Sequence, residues 1–302
     1  MNRRDFLQKG AAGTAFAAIG GLGLQSFAPA RKHLTVLHTN DVHSYIDPFS
    51  ETHPKNPGKG GVARRAALIE SIRNENPNVL LLDAGDIFQG TPYFNYYGGE
   101  LEFKLMSMMG YDLATLGNHD FDNGIDGFYK QLPNATFGFV SANYDFSKTV
   151  LDGLVKPYKT FVKDGIKVGV FGLGIELAGL VDPRNYKETK YTHPMDVTQE
   201  IVNALKQREK CDLVICLSHI GYDYKNEPDK ISDLKLAAQT RDIDLIIGGH
   251  THTFLDKPTV VRNLDGKDVL VNQTGCYGIN LGRIDFYLES GISSSTSRVI
   301  AV

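Results

Sequence analysis

Aspartate, asparagine and histidine residues recur in five short clusters whose members could together bind metal ions. In chain order, the clusters occur in TNDVH, DAGDIFQG, LGNHDFDNG, CLSHIGYD and IGGHTHTF. Their candidate ligands are Asp41, His43, Asp86, Asn118, His219, His250 and His252. Imidazole nitrogens with carboxylate and amide oxygens suit Zn, Mn, Fe or Co better than Ca. Because these seven groups exceed what one tetrahedral ion needs, they predict two ions that share a bridging carboxylate.

Each cluster follows a predicted β-strand. The five strands are Leu34–Thr39, Val79–Asp83, Leu113–Leu116, Leu213–Leu217 and Leu245–Ile247. Ligands of an open α/β sheet bind beyond the carboxyl ends of its strands, so parallel neighbouring strands would bring the clusters to one site. Residues i and i+2 of an extended backbone point the same way, which predicts that Asp41 and His43 reach one ion together and that His250 and His252 face a common centre. A single such residue is more often structural or a helix cap, but the repetition favours a metal site.

The rest of the chain has the pattern of an α/β protein with two sheets. Further strands are predicted at Phe137–Ala142, Lys167–Leu173, Thr259–Arg262, Val269–Asn272 and Gly282–Leu288, and helices at Val62–Asn76, Leu101–Met109, Ile125–Gln131, Val197–Glu209 and Leu234–Thr240. Strands alternate with helices, and the strand-rich C-terminal stretch predicts a second sheet packed on the first. The serine-rich tract from Ser293 to Ser297 is interpreted as a loose end of one compact domain.

Composition excludes several other classes of protein. Of the 302 residues, 42% are hydrophobic and 22% are charged, which is typical of globular proteins rather than disordered or fibrous ones. The formal net charge of −3 gives no basic surface for nucleic acid, so no nucleic-acid partner is expected. The three cysteines lack CxxC spacing and predict free thiols.

Residues 1–30 have the pattern of a cleaved export signal. Arg3 and Arg4 precede a weakly apolar run rich in glycine and alanine, and Ala28-Pro29-Ala30 offers a cleavage site. The paired arginines resemble the twin-arginine signal, which exports folded proteins. A mature domain of residues 31–302 is therefore expected in the periplasm or otherwise outside the cytoplasm. No later apolar run is long enough to cross a bilayer, so no stable membrane span is expected after cleavage.

The motifs DxH, GDxxxG, GNHD, a later His and GHTH, in this order, resemble those of the calcineurin-like metallophosphoesterase superfamily. The segments HTNDVHSYIDP, GGVARRAALI, DAGDIFQGTPYF, LGNHDFDNG, IGGHTHT and VNQTGCYGINLGRIDF narrow the resemblance to the catalytic, N-terminal domain of 5′-nucleotidases and 2′,3′-cyclic phosphodiesterases. The resemblance covers His33 to Glu289. It implies the metallophosphatase fold, a four-layer α/β/β/α sandwich with two packed mixed β-sheets.

The same resemblance divides the candidate ligands between two divalent ions, which could be Zn, Mn, Fe, Co or Mg. It assigns Asp41, His43, Asp86 and His252 to one ion. It assigns Asp86, Asn118, His219 and His250 to the other, so that Asp86 bridges the two.

The resemblance also implies the catalytic residues. His119 would stabilise the developing charge or protonate the leaving group, paired with and oriented by Asp120. Asn118 could in addition donate from its amide to a phosphate oxygen. Arg64 is a weaker candidate for substrate binding, because a solvated helix face is the default interpretation of such a residue. Hydrolysis would then follow in-line attack on phosphorus by a metal-bound hydroxide.

The expected function is that of an exported phosphate-ester hydrolase acting on 5′-nucleotides. Alternatives are a 2′,3′-cyclic-nucleotide phosphodiesterase, a UDP-sugar hydrolase, a broad phosphomonoesterase and a sulfur-oxidation hydrolase. An alternative of another class is a non-catalytic metal- or phosphate-binding subunit. Full-length secreted relatives carry a C-terminal nucleoside-binding domain that does not follow here, so a separately encoded partner could supply it. The aromatic residues Tyr93, Phe94, Tyr96 and Tyr97 are interpreted as core, with base stacking as the alternative.

Overall fold

Two six-stranded β-sheets make up the frame of the molecule. The computed structural model describes residues 31–289 and 292–302; the predicted export signal lies outside them. The first sheet contains β1 (Lys32–Thr39), β2 (Val79–Asp83), β3 (Leu113–Ala114), β4 (Gly138–Phe139), β13 (Asn280–Leu288) and β14 (Ile292–Ala301). The second contains β6 (Tyr158–Lys163), β7 (Ile166–Gly174), β9 (Leu213–His219), β10 (Leu245–Gly248), β11 (Thr259–Arg262) and β12 (Asp268–Asn272). The short strands β5 (Tyr144–Asp145) and β8 (Lys190–Tyr191) pair separately.

Both sheets combine parallel strands with antiparallel ones, which lie at one edge of the first sheet and at both edges of the second. The order of the first is β14-β13-β1-β2-β3-β4, with β1 to β4 parallel and β13 and β14 antiparallel. The order of the second is β11-β12-β10-β9-β7-β6, with β12, β10, β9 and β7 parallel. Parallel neighbours end at the same edge of a sheet, so each sheet gathers the loops that follow its central strands.

Seven α-helices accompany the sheets. They are α1 (Val62–Glu75), α2 (Pro92–Tyr97), α3 (Glu100–Met109), α4 (Gly124–Gln131), α5 (Pro183–Tyr186), α6 (Pro194–Asn203) and α7 (Asp233–Ala238), counted over the described residues. Leu34 and Val36 of β1 lie in a core between the sheets, whereas Leu37 packs with residues of α1, α3 and α4. On β9, Ile215 faces the intersheet core and Val214 packs with α6 and α7. This alternation confirms the four-layer α/β/β/α sandwich within one compact unit, Lys32–Val302.

The largest departures from the predicted secondary structure include the serine-rich tract and the helix at Val197–Glu209. The serine-rich tract is not a loose end, because it lies in β14 and pairs with β13 from Ile292 to Ala301. An edge strand needs few apolar side chains, since backbone hydrogen bonds hold it. The helix predicted at Val197–Glu209 instead begins at Pro194, and α6 gives way to a π-helical turn at Ala204–Arg208. Within residues 31–289 and 292–302, no helix has the length and apolar character needed to cross a bilayer.

Candidate metal centre

The five clusters meet at the carboxyl ends of strands from both sheets. Asp41 and His43 follow β1, Asp86 follows β2 and Asn118 follows β3, all in the first sheet. In the second sheet, His219 ends β9, and His250 and His252 follow β10. Two groups of candidate ligands result, Asp41 with His43 and His252, and Asp86 with His219 and His250; within each group the ligand atoms lie within 4.8 Å of one another. The sequence predicted the convergence, but not that two sheets share it.

Asp86 belongs to the second group and also approaches the first. Its Oδ2 atom is 3.7 Å from His43 Nε2 in one group and 3.1 Å from His219 Nε2 in the other. Close approach of the β3 loop requires a glycine, because a Cβ atom on Gly117 would collide with Asp86 Oδ1. Asn118, the next residue, places its Oδ1 atom 2.9 Å from His250 Nδ1 and so joins the second group.

The ligand-bearing loops are not extended, so the i and i+2 argument is wrong in its geometry. Asp41, His43, Asp86, His250 and His252 all have left-handed backbones, with φ between 49° and 72°. Each loop turns sharply after its strand, and pairing between loops then holds the turn: Asp41 N donates to Gly85 O and His43 N to Asp86 O. Left-handed conformations of non-glycine residues are strained and cluster at functional sites. Asp41 and His43 nevertheless join one ligand group, whereas His250 and His252 belong to different groups.

Two histidines are oriented by backbone carbonyls. His43 Nδ1 lies 3.2 Å from Phe88 O, and His219 Nδ1 lies 2.7 Å from Ala84 O. Donation from Nδ1 to a carbonyl leaves the Nε2 lone pair free and is a common support for metal-binding imidazoles. His219 Nε2 is buried and makes no hydrogen bond, while His43 Nε2 and His252 Nε2 face each other at 3.0 Å. A buried nitrogen that makes no hydrogen bond although a carboxylate oxygen lies 3.1 Å away, and two imidazole nitrogens that face each other, are the arrangement that divalent ions would satisfy, so the residues fit the ions.

Burial and the carboxylates shift the pKa values of the imidazoles in opposite directions. Burial, reinforced by the nearby His219, lowers the pKa of His250 to about 4. Burial also lowers the pKa of His43, more strongly than Asp86 and Asp41 raise it. Burial would lower the pKa of His219 as well, but the adjacent Asp86 and Asp41 raise it to about 10. The carboxylates therefore attract positive charge to the centre of the site, where cations would bind.

His119 is next to the centre, but its partner is not Asp120. His119 Nδ1 lies 2.8 Å from Asp122 Oδ2, and the two side chains are 37% and 31% exposed. Asp120 is fully buried, and its carboxylate accepts hydrogen bonds from the backbone N–H groups of Asp86, Ile87, Phe88 and Gly117. The predicted pairing of His119 with Asp120 is therefore wrong. The cause is the 3₁₀ turn His119–Phe121, in which side chains at i and i+3 lie above one another and the side chain at i+1 points away.

The hydrogen bond to Asp122 affects the charge of His119. It raises the pKa of the imidazole above its ordinary value, although partial burial acts in the opposite direction. The His119 backbone N–H also donates to Asp86 Oδ1 at 2.8 Å, which ties this histidine to the residue between the two ligand groups. A partly exposed, more readily protonated imidazole at the edge of the centre is suited to donate a proton.

Comparisons with known proteins agree with this geometry. The family model described as calcineurin-like phosphoesterase matches residues 34–254. The chain belongs to this family. It is 34% identical to the trifunctional nucleotide phosphoesterase protein YfkN of Bacillus subtilis, over 89% of this chain and 19% of that protein. It is 33% identical to a 5′-nucleotidase of Vibrio parahaemolyticus, over 98% of this chain and 56% of that protein.

A solved structure of a relative has the same fold. The 5′-nucleotidase precursor of Thermus thermophilus superposes with a TM-score of 0.81 at 34% identity, over 90% of this chain and 55% of that one. The chain thus spans about half the length of the 5′-nucleotidases it matches.

Two other sequence-based candidates of this phosphoesterase lie apart from the ligand groups. The Arg64 guanidinium is exposed and donates to Gly58 O, so the structure does not bring it to the centre. Among the aromatic residues of α2, Phe94 is buried in the core as expected, whereas Tyr96 is 87% exposed. The Tyr93 hydroxyl makes a local hydrogen bond, which it donates to Asp47 Oδ2 at 2.6 Å.

Two residues beside the centre, Asp122 and Tyr277, were not predicted from the sequence. The signal for Asp122 was the i, i+3 spacing from His119, which a tight turn brings together. Tyr277 lies in the late TGCYG segment, and its ring centre is 6.1 Å from that of His43 and 5.8 Å from that of His252. No spacing rule connects Tyr277 to residues more than 200 positions earlier in the chain.

Proposed function

We propose that this protein hydrolyses phosphate monoesters, and 5′-nucleotides in particular, with two divalent metal ions bound by Asp41, His43, Asp86, Asn118, His219, His250 and His252. The observation that carries the proposal is the position of Asp86 between two groups of candidate ligands, 3.7 Å from His43 Nε2 and 3.1 Å from His219 Nε2. Family membership supports hydrolysis of a phosphoester, and the similarity to 5′-nucleotidases supports a nucleotide as the substrate.

Two bound cations would neutralise phosphoryl oxygens and lower the pKa of water, which is the chemistry they supply in such enzymes. The residues of the chain would bind the phosphate and protonate the leaving group. Asn118 would bind a metal ion with its carbonyl oxygen and donate a hydrogen bond from its NH₂ to a phosphate oxygen. His119, held by Asp122, would give its proton to the departing alkoxide. Asp120 would keep the Asp86 and Gly117 loops together through its four backbone hydrogen bonds.

A wider substrate range is the second candidate. The Bacillus subtilis relative is named a trifunctional nucleotide phosphoesterase, and it is as similar to this chain as the 5′-nucleotidases are. 2′,3′-cyclic nucleotides and UDP-sugars are therefore included in the test, together with an unspecific aryl phosphate.

The experiment uses residues 31–302, stripped of metal with a chelator and reloaded separately with Zn, Mn, Fe, Co or Mg. We expect phosphate release from 5′-AMP with at least one metal, and a higher kcat/KM than for 2′,3′-cyclic AMP, UDP-glucose or p-nitrophenyl phosphate. The chelated protein should be inactive. Hydrolysis of none of the four substrates under any metal would contradict the proposal and favour a non-catalytic binding subunit.

We also propose that residues 1–30 are an export signal of the twin-arginine type. Arg3→Lys together with Arg4→Lys should keep the uncleaved chain in the cytoplasm of a bacterial host, whereas the unaltered chain should reach the periplasm in a shortened form. Equal fractionation of the two would contradict export by this route. A separately encoded nucleoside-binding partner would co-purify with the mature chain from its native host.

A further inference from the structure

Three aromatic side chains form a continuous surface beside the metal centre. Tyr45 and Phe49 come from the loop after β1, and Tyr277 comes from the loop before β13. The ring centre of Tyr45 lies 4.4 Å from that of Tyr277 and 4.9 Å from that of Phe49, and Phe49 and Tyr277 are 6.0 Å apart. All three side chains are partly exposed, so they are not a closed core. We refer to Tyr45, Phe49 and Tyr277 as the aromatic wall.

The aromatic wall is attached directly to one group of candidate ligands. The Tyr277 ring centre is 6.1 Å from that of His43 and 5.8 Å from that of His252. The Tyr277 backbone N–H donates to Asp41 O at 2.7 Å, so its loop is joined to the third member of the group. His119 approaches His43 as well, at 5.3 Å between ring centres. His43 therefore has both His119 and Tyr277 as neighbours, so a phosphate bound at this ligand group would have the proton donor and the aromatic wall close to it.

The backbone that carries Tyr277 is unusual. Tyr277 has a left-handed φ of 63°, which is uncommon and unfavourable for an aromatic residue. The following Gly278 also has a positive φ, of 61°, and a Cβ atom there would collide with Arg65 Nη1. The buried Arg65 and the hydrogen bond to Asp41 thus fix the turn that presents the Tyr277 ring at the rim of the centre.

We propose that Tyr45 and Tyr277 form a stacking surface for a planar aromatic leaving group, of which a nucleobase is the example that fits the proposed function. The inference rests on the proposed phosphomonoesterase activity and adds how the substrate class is selected. Stacking on an aromatic side chain strengthens binding of a base by about 5- to 150-fold and does not depend on which base is present. The site would therefore discriminate nucleotides from aliphatic phosphate esters without reading the base by hydrogen bonds.

The exposed tyrosine Tyr96 provides the matched control. It has the same side chain and is 87% exposed, and its ring contact within the described residues is with Tyr97 at 5.9 Å. Loss of the Tyr96 ring removes an exposed aromatic group from α2 without touching the aromatic wall. Its removal should therefore leave catalysis unchanged if the wall, rather than any exposed tyrosine, binds the substrate.

The experiment compares two substrates that share the same ester and differ in the base, 5′-AMP and ribose 5-phosphate. Metal-loaded residues 31–302 are assayed as the wild type and as Tyr277→Leu, Tyr277→Phe, Tyr45→Leu and Tyr96→Leu, with the metal content of each measured by plasma mass spectrometry. For Tyr277→Leu and Tyr45→Leu we expect kcat/KM for 5′-AMP to fall about 10-fold through a higher KM, with ribose 5-phosphate changed less than about 2-fold. Tyr277→Phe and Tyr96→Leu should resemble the wild type.

The outcomes separate this inference from the proposed function. A wild type that hydrolyses neither substrate overturns the proposed function. A wild type that hydrolyses both, with equal losses on both in Tyr277→Leu and Tyr45→Leu or no loss in either, overturns the stacking surface alone. If Tyr277→Leu loses metal, Tyr45→Leu decides the question, because the described ring contacts of Tyr45 are with Phe49 and Tyr277 rather than with a ligand histidine.

Discussion

The two ends of β1 are built in opposite ways. Near its amino end, the Asp285 carboxylate accepts a hydrogen bond from Thr35 Oγ1 at 2.5 Å and from Arg283 Nε at 2.8 Å, and lies 2.9 Å from His33 Nε2. Arg283 Nη1 also bonds to Glu75 Oε2 at 2.7 Å. Asp285, Arg283 and Glu75 thus each have an opposite charge beside them.

At the carboxyl end of β1, polar groups are left in less favourable arrangements. Asp41 and His43 have left-handed backbones, the buried His219 Nε2 makes no hydrogen bond, and His43 Nε2 faces another imidazole nitrogen. If the candidate ligands bind cations as proposed, one end contributes to stability, whereas the other holds metal ligands at a cost to stability. Substitutions at the two ends should therefore have separable effects.

The largest effect is expected for Asp86→Ala. Loss of the residue between the two ligand groups should release metal and lower kcat/KM for 5′-AMP by about 10⁴-fold or more, since several kcal/mol of transition-state stabilisation depend on the ions. Metal content is measured by plasma mass spectrometry alongside the kinetics. Asp152→Ala, at an exposed aspartate, is the control. Retention of both ions in Asp86→Ala would refute its bridging role.

A somewhat smaller effect is expected for His119→Ala. Turnover should fall about 10³-fold, within the range of general acid catalysis, while the metal content stays that of the wild type. The separation of activity from metal content distinguishes a proton donor from a ligand. Loss of metal in this variant would show that His119 holds an ion instead.

At the other end of β1, Asp285→Asn should affect stability rather than catalysis. Removing one partner of a nearly buried ion pair should lower the free energy of unfolding by about 3 kcal/mol at neutral pH, as measured by urea denaturation. The activity of the folded, metal-loaded variant should equal that of the wild type. A large loss of activity with unchanged stability would break the division between the two ends.

The same variant has a predictable pH dependence. Burial would raise the pKa of Asp285, but hydrogen bonds from Arg283, Thr35 and His33 lower it below the ordinary 3.8. A carboxyl group with a lowered pKa contributes stability above its ordinary pKa, and this contribution disappears as the pH falls through the lowered value. The difference in stability between wild type and Asp285→Asn should therefore be full at pH 7 and shrink below about pH 4. A constant difference down to pH 2 would contradict the assignment.

The smallest effect is expected for Asp122→Asn. Weakening the support of His119 should lower turnover about 10-fold with metal retained, as is typical when a group that orients a functional histidine is replaced. Asp120→Asn is the informative comparison, because its carboxylate binds four backbone N–H groups and its loss should reduce the melting temperature and metal content together. If Asp120→Asn instead lost turnover with metal retained, and Asp122→Asn lost melting temperature and metal, Asp120 would be the partner of His119.

Much of the fold followed from the sequence because its signals are local. The strands Val79–Asp83 and Thr259–Arg262 have the predicted bounds, since their apolar runs end at sharp polar boundaries. β6 and β14 were not predicted because they are edge strands that carry polar residues, and each is held by antiparallel pairing with the adjacent strand, β7 or β13. The candidate ligands could be predicted from the sequence because the fold places them at strand ends.

Other parts of the site depend on geometry that sequence spacing does not contain. The choice of Asp122 over Asp120 rests on a 3₁₀ turn of three residues. Tyr277 reaches His43 only through the packing of two loops far apart in the chain. The left-handed turns after β1 and β10 occur at non-glycine residues. Backbone propensities do not predict a left-handed conformation at such residues.

The most direct test of the account is an anomalous difference map from crystals of the reloaded protein, recorded at the absorption edge of the bound metal. The account predicts two peaks roughly 3.5–4 Å apart, with Asp86 between them. One peak should lie against His43 and His252, and the other against His219 and His250. A single peak, or two peaks that do not share Asp86, would contradict it.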